Sequence, residues 1–201
     1  MTAGGRRPAE RHVWVLRHAH AVDRWPGGDH ARPLNAVGER EVQALGATGG
    51  AIERALGAGA RRPDLVASSS AVRALATAEG AARALGLPEP QVETAFYRAD
   101  ADDLAAWLGM LADDVTSVMV VGHNPAVHAL VELLGSPVGT GDGPAAAPSP
   151  GTAASAGLGD GGGVTVPDRF PPASLAVVVL AVEGWRSAVA GTGRLCFVAA
   201  P

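Results

Sequence analysis

Three short polar segments of the sequence carry side chains that are suited to phosphoryl chemistry. Arg17 and His18 follow the first apolar run of the chain, Arg73 comes shortly after the second, and His123 follows a later one. A planar guanidinium can bind two phosphate oxygens at once. A neutral imidazole can attack phosphorus and form a phosphohistidine intermediate, and a second, protonated imidazole would stabilise charge on the phosphoryl oxygens. Two Arg and two His side chains in one place would therefore make a phosphate site.

Each of these segments comes directly after a predicted strand. The strands are Val13–Leu16, Asp64–Ala67 and Ser117–Val121, all short and largely apolar. In open α/β sheets, ligands bind beyond the carboxyl ends of the strands, so we expect the three segments to converge. Backbone N–H groups at the starts of the following helices would add to the attraction for an anion. The sequence thus predicts a cationic pocket.

Each signal alone also has an ordinary structural explanation. A histidine at a strand end is commonly structural, and Gly122-His123-Asn124-Pro125 could be a tight turn. Arg73 could be a solvated helix residue, because all 16 basic residues of the chain are Arg and none is Lys. The shared placement at strand ends favours the phosphate site over these alternatives.

The histidines also permit a metal site as an alternative. His18 and His20 would alternate on one face of a strand, and His123 and His128 lie close together in sequence. However, the carboxylate or cysteine partners of a zinc site are not arranged around them. We therefore expect no metal, and attack by a histidine requires no cofactor.

Apolar runs of strand length alternate along the chain with segments of helical periodicity. This alternation predicts an α/β fold, a three-layer sandwich with a mainly parallel central sheet flanked by helices. Besides the three strands above, the pattern predicts a weak strand at 92–96 and two closing strands at 175–182 and 195–199. It predicts helices at 36–56 with Asn35 as the cap, at 71–85, from Asp102 or Asp103 onward, and at 125–134.

The alternation breaks at about 136–169, a stretch made mostly of Gly, Ala, Pro, Ser and Thr. Such a composition buries little apolar surface, so we predict one domain over 1–201 that carries a flexible low-complexity insert. A functional lid is the alternative. Ordered structure is expected to resume at Phe170-Pro171-Pro172.

The overall composition restricts the partners. A formal net charge of -4 gives no basic footprint for nucleic acid. The longest apolar run is too short to span a bilayer, and no signal peptide is visible at the N-terminus. The single cysteine, Cys196, excludes an internal disulfide and fits a reducing compartment. We expect a cytoplasmic protein that binds neither nucleic acid nor membranes.

Four motifs resemble, in order and spacing, those of the histidine phosphatase superfamily (phosphoglycerate mutase-like). Within it they are most similar to the short SixA-type phosphohistidine phosphatases. The motifs are Leu16-Arg17-His18-Ala19, Arg32-Pro33-Leu34-Asn35 with Gly38, Asp64 to Ser69 with Arg73, and Val121-Gly122-His123-Asn124-Pro125. The similarity runs from about Val13 to Leu134 and resumes at Phe170.

This resemblance implies roles for five residues. His18 would be the nucleophile, Arg17 and Arg73 would hold the phosphate, and His123 would complete the pocket. Arg32 would line the mouth of the site and contribute to substrate binding. The implied reaction is hydrolysis of a phosphoryl group through a phosphohistidine enzyme intermediate.

Two departures from the family pattern bear on the substrate. Ala19 stands where the family has Gly, which could alter how closely the backbone approaches a ligand. Larger relatives carry a Glu general acid after the third strand, and this sequence has none at that place. Glu93 and Asp100 are the candidates. Because an imidazole leaving group needs less protonation than an alkoxide, the missing acid favours phosphohistidine as substrate.

The leading hypothesis is therefore a phosphohistidine protein phosphatase, with a phosphorylated protein as its partner. A phosphatase for a small metabolite is the alternative within the same class. A non-catalytic module that binds phosphoproteins is the alternative from another class, although all four pocket residues, Arg17, His18, Arg73 and His123, are intact.

Overall fold

The computed structural model describes residues 10–57, 61–135 and 164–200. A six-stranded sheet lies at its centre, with strands β1 to β6 in the spatial order β3-β2-β4-β1-β5-β6. Strands β3, β2, β4 and β1 pair in parallel, whereas β5 is antiparallel to both of its neighbours. The predicted fold class, with its mainly parallel sheet, is confirmed. The strands are β1 Arg11–Arg17, β2 Leu65–Ser69, β3 Gln91–Glu93, β4 Ser117–Gly122, β5 Leu175–Leu180 and β6 Gly193–Ala199.

Four helices cover the sheet: α1 Ala36–Leu56, α2 Val72–Leu85, α3 Ala101–Leu108 and α4 Ala126–Gly135. As predicted, Asn35 caps α1, its side-chain oxygen accepting from the N–H groups of Val37 and Gly38. Helix α2 ends at Gly86, whose φ of 63° places it in the left-handed region that glycine adopts easily.

Both faces of the sheet are buried, which makes the domain a three-layer sandwich. Because side chains alternate along a strand, Val13 and Val15 of β1 pack toward one face and Trp14 and Leu16 toward the other. The first face is covered by α3 and α4, and the second by α1 and α2. Burial on both faces explains why the strands are continuously apolar rather than alternating.

Three predicted elements differ from the structure. The strand predicted at 92–96 is wrong beyond Glu93, because the chain turns into a short 3₁₀ helix, Thr94–Tyr97, that buries Phe96. Helix α3 begins at Ala101, before the predicted start at Asp102 or Asp103, because Asp100 makes a reciprocal capping pair with Asp103. His20 lies beyond the end of β1, so it does not share a strand face with His18.

Most of the predicted insert, residues 136–163, lies outside the described residues. Its last part, 164–169, is irregular, with Val166 packed against the core and the carbonyl of Pro167 in contact with His128 Nε2 at 2.9 Å. In the described ranges, no helix has the length and apolar character that crossing a membrane requires.

Candidate phosphate site

The carboxyl ends of β1, β2 and β4 meet at one edge of the sheet and bring the predicted residues together. His18 follows β1, Arg73 lies in the first turn of α2 after β2, and His123 follows β4. The rings of His18 and His123 are 5.0 Å apart between centroids. Arg73 Nε lies 3.3 Å from His18 Nε2. The predicted convergence of the three segments is present because these strands are neighbours in the sheet.

His18 is held in one orientation and one tautomer. Its Nδ1 lies 2.8 Å from the carbonyl oxygen of Ala19, which can only accept, so Nδ1 carries the proton. Its Nε2 is then the lone-pair nitrogen that accepts from Arg73 Nε. Burial, followed by the nearby guanidinium of Arg73, lowers the pKa of His18 to about 4. His18 is therefore a neutral imidazole whose Nε2 faces the pocket.

His123 is also neutral. His123 Nε2 lies 2.8 Å from Ser69 Oγ, which also accepts from the N–H of Ala71. The other ring nitrogen, Nδ1, is buried and has no hydrogen-bond partner among the described residues. Burial, together with His18 and Arg73, lowers the pKa of His123 to about 3.

Arg17 is the second guanidinium near His18 and is held by the chain at Phe170. Its Nη1 donates to the carbonyl oxygen of Phe170 at 2.7 Å, and Asn124 Nδ2 donates to the same oxygen at 2.9 Å. Burial lowers the pKa of Arg17. Arg17 Nε and Asn124 Oδ1 are buried without a partner in the described part of the chain. The carbonyl oxygen of Phe170 therefore holds both Arg17 and Asn124 at the site. The Nε–H of Arg17 remains without an acceptor in the described part of the chain.

Asp29 is the site residue that the sequence reasoning missed. Its Oδ2 lies 2.9 Å from Arg73 Nη2, and its backbone oxygen accepts from Arg73 Nη1 at 2.6 Å. Its Oδ1 accepts from Arg32 Nη1 at 2.7 Å. The hydrogen bonds from Arg32, then Tyr97 and then Arg73, hold the pKa of Asp29 well below its usual range. Asp29 is thus an ionised carboxylate at the pocket, and only its position three residues before Arg32 could have indicated it.

Tyr97 was missed as well. Its hydroxyl donates to Asp29 Oδ2 at 2.9 Å, and this hydrogen bond raises the pKa of the phenol. Its ring meets the rings of His30 and His123 edge-on, at 4.7 Å and 5.7 Å between centroids. The 3₁₀ helix that replaces the end of the predicted third strand is what turns Tyr97 toward the site.

The remaining predicted residues lie around the cluster. Arg32 also donates from Nε to the carbonyl oxygen of Val22, so it supports the loop and reaches Arg73 only through Asp29. Glu93 ends β3 in register with Ser69, but no hydrogen bond or ion pair joins it to the described side chains of the site. The Asp100 carboxylate caps α3, a structural use. Neither candidate acid is placed at the pocket by a contact.

The other histidines are engaged elsewhere. His20 Nδ1 lies 2.6 Å from Glu41 Oε1, and His128 contacts Pro167 and stacks on Phe170. In residues 10–57, 61–135 and 164–200, no three His, Cys, Asp or Glu side chains are grouped so that they could hold a metal ion.

Ala19 fits where the family has Gly. It is fully buried, its N–H donates to Thr77 Oγ1 at 3.0 Å, and it is not among the residues with positive φ. Since the backbone conformation here is accessible to any residue, the methyl group introduces no strain. The departure from Gly leaves the site intact.

The sequence and the fold were compared with known proteins. No model of a protein family matches the sequence. An uncharacterised protein of Mycobacterium tuberculosis, Rv1276c, is 35% identical over 123 residues, which cover 60% of this chain and 72% of the relative.

Three solved structures share the fold over nearly the whole chain. The SixA proteins of Nakamurella multipartitia and Agrobacterium tumefaciens, each provisionally assigned as a phosphohistidine phosphatase, have TM-scores of 0.67 and 0.64. They are 23% and 25% identical and match 96% and 95% of this chain and 98% of their own. The protein histidine phosphatase SixA in complex with tungstate has a TM-score of 0.65 at 24% identity, over 94% of this chain and 97% of its own.

Proposed function

We propose that the chain is a member of the histidine phosphatase superfamily and hydrolyses phosphohistidine in proteins with His18 as the nucleophile. The observation that carries the proposal is a set of buried, unpaired polar groups beside a neutral imidazole. Arg17 Nε and His123 Nδ1 have no partner in the described chain, and the lone pair of His18 Nε2 faces Arg73 Nε at 3.3 Å. A buried donor without a partner costs about 1–3 kcal/mol, which an anion bound here would offset.

The reaction runs in two steps. In the first, the lone pair of His18 Nε2 forms a bond to phosphorus while the bond from phosphorus to the leaving group breaks with its electron pair. The guanidinium groups of Arg17 and Arg73 and the N–H of His123 bind the three phosphoryl oxygens as their charge develops. In the second, water attacks the phosphohistidine, His18 Nε2 recovers its electron pair, and inorganic phosphate and a proton are released.

The lack of a proton-donating carboxyl group in contact with the described pocket favours phosphohistidine as the substrate. The carboxylate in contact with the described pocket is Asp29, and its lowered pKa keeps it ionised at neutral pH, so it has no proton to give an alkoxide. An imidazole leaving group does not require one, because its ring can be protonated before the bond breaks. The solved relatives named for this activity share the fold and support the choice.

The test is an assay with EDTA present on a phosphohistidine protein and on 4-nitrophenyl phosphate. We expect the wild-type protein to dephosphorylate the phosphohistidine protein and the His18→Ala variant to lose at least about a thousandfold in kcat/KM. His20→Gln is the matched control, since His20 lies in the same motif but pairs with Glu41. It should keep wild-type activity.

Each other outcome separates the alternatives. Loss of activity with EDTA, or full activity of His18→Ala, would overturn the mechanism. Turnover of 4-nitrophenyl phosphate alone would indicate a phosphatase for small phosphate esters. Binding of inorganic phosphate without turnover of either substrate would indicate a phosphoprotein-binding module. The lone, buried Cys196 is consistent with a reducing compartment, and we propose the cytoplasm as the place of action.

A further inference from the structure

The solvent side of the pocket is built from the loop after β1 and from the 3₁₀ helix after β3. Arg73 is buried beneath Asp29, with 7% of its side chain exposed against 52% for that of Asp29. The rings of Tyr97 and His30 lie beside Asp29 in a T-shaped contact, 4.7 Å apart between centroids. His18 is attached to the buried side, through the hydrogen bond of its N–H to the carbonyl of Gly122. In-line attack by His18 Nε2 on a phosphoryl group held at Arg73 would release the leaving group toward the exposed side, where Asp29 and Tyr97 lie.

The Asp29 carboxylate on this side of the pocket is held in its ionised form between the guanidinium groups of Arg32 and Arg73. Asp29 accepts from Arg32, Tyr97 and Arg73 at once, and each of these hydrogen bonds stabilises its ionised form. A carboxylate so placed cannot act as a proton donor. It can accept a hydrogen bond from a leaving group that carries an N–H, and it repels a leaving group that departs with negative charge.

From this geometry we propose that Asp29 selects the leaving group, favouring a protonated imidazole over an alkoxide or phenolate. The inference rests on the proposed function, because it assumes attack by His18. In the selected reaction, the nitrogen–phosphorus bond breaks and its electron pair stays on the ring nitrogen. The proton already on the other ring nitrogen remains there, hydrogen-bonded to Asp29, so a neutral imidazole departs and no proton transfer is needed.

A purely structural role makes a different prediction. Asp29 also holds Arg73 through its backbone oxygen and Oδ2, so its loss could weaken phosphate binding for every substrate. Such an effect would lower activity equally toward esters and phosphoramidates. Selection of the leaving group changes the ratio between the two.

The experiment compares two small substrates, phosphoimidazole and 4-nitrophenyl phosphate, which have the same phosphoryl group and require no protein docking. In Asp29→Asn we expect kcat/KM for phosphoimidazole to fall roughly ten- to hundredfold, the range for losing a hydrogen bond to a charged group. For 4-nitrophenyl phosphate we expect no change or a rise, since repulsion of the phenolate is removed. The matched control is Asp23→Asn, an exposed residue of the same loop, which should leave both values unchanged.

A second variant and a pH profile guard against misfolding of the first. Tyr97→Phe removes one hydrogen bond to Asp29 and should shift the ratio in the same direction by a smaller factor. In the wild-type protein, kcat/KM for phosphoimidazole should fall as pH rises through the pKa of the substrate ring, and Asp29→Asn should weaken that dependence.

Equal losses on both substrates in Asp29→Asn would overturn the selection and leave Asp29 as a residue that positions Arg73. Failure of the proposed function is a separate result, since the wild-type protein would then turn over neither substrate or would act without His18.

Discussion

The same surroundings that make the pocket attractive to an anion keep its two histidines neutral. His18 and His123 are half-buried beside Arg17 and Arg73, and both burial and cationic neighbours lower the pKa of an imidazole. For His18 this is useful, because a nucleophile needs its lone pair. A phosphoryl dianion that binds here should raise the pKa of His123, because the anion stabilises the protonated ring.

Titration of the histidines by NMR tests this description directly. In the free protein, the His18 and His123 signals should remain those of neutral rings from pH 8 down to about 5, because their pKa values are about 4 and about 3. Inorganic phosphate should raise the pKa of His123. Exposed His20 provides the comparison within the same spectra. Titration of His18 near pH 6.5 in the free protein would contradict the conclusion that burial lowers its pKa.

At the scale of elements, the site depends on how α1 begins. The backbone N–H of the N-cap Asn35 donates to the carbonyl of His20, and its side chain donates to the carbonyl of Ala21. A Cβ added at Gly38 would overlap with the carbonyl oxygen of His20. The start of α1 is therefore pressed against the segment that follows His18, and only a residue without a side chain fits there.

Gly38→Ala should consequently destabilise the protein by about 1–3 kcal/mol, the range for forcing extra atoms into a packed site. Gly46→Ala in the same helix is the control, because the nearest atom to its added Cβ is 3.6 Å away. That change should be neutral or stabilise by up to about 1 kcal/mol, since Ala is the better helix former. Urea denaturation measures both. Equal stability of the two variants would show that the structure accommodates a Cβ at position 38 next to the carbonyl oxygen of His20 without cost.

The strand ends were predictable from the sequence, and the loop between β1 and α1 was not. The apolar runs that become β1, β2 and β4 are short and continuous, so the placement of His18 and His123 after them follows from periodicity and from the geometry of parallel sheets. Asp29 lies in a loop without periodicity, and its contact with Arg73 depends on the exact path of that loop. Tyr97 escaped prediction because a strand was expected where the chain forms a 3₁₀ helix.

For the molecule as a whole, neutral buried histidines make stability depend on pH. His12 on β1 is 1% exposed, neither ring nitrogen has a partner in the described chain, and burial lowers its pKa as it does for the two site histidines. In the unfolded chain these rings take up protons below about pH 6.5, while the folded protein binds them only at lower pH. Unfolding thus binds protons in this window, and stability falls with falling pH.

We predict that the free energy of unfolding decreases between pH 7 and pH 5, by roughly 2 kcal/mol for each of His18 and His123. The loss begins near pH 6.5 and continues toward pH 4. Urea denaturation at a series of pH values gives the slope of the free energy of unfolding against pH. A His12→Leu variant should show a shallower slope. A free energy of unfolding that is constant from pH 7 to pH 5 would be inconsistent with neutral rings at His12, His18 and His123.

The central claim is that His18 carries the phosphoryl group during turnover. Its most direct test is to mix the protein with phosphoimidazole, quench within milliseconds in alkaline detergent, which preserves phosphoramidates, and locate the phosphate by mass spectrometry. We predict phosphate on His18, attached at Nε2 because Nδ1 is hydrogen-bonded to the carbonyl oxygen of Ala19. The His18→Ala variant should carry no phosphate. Phosphate on a different residue, or substrate turnover with no phosphoenzyme at any quench time, would contradict the account.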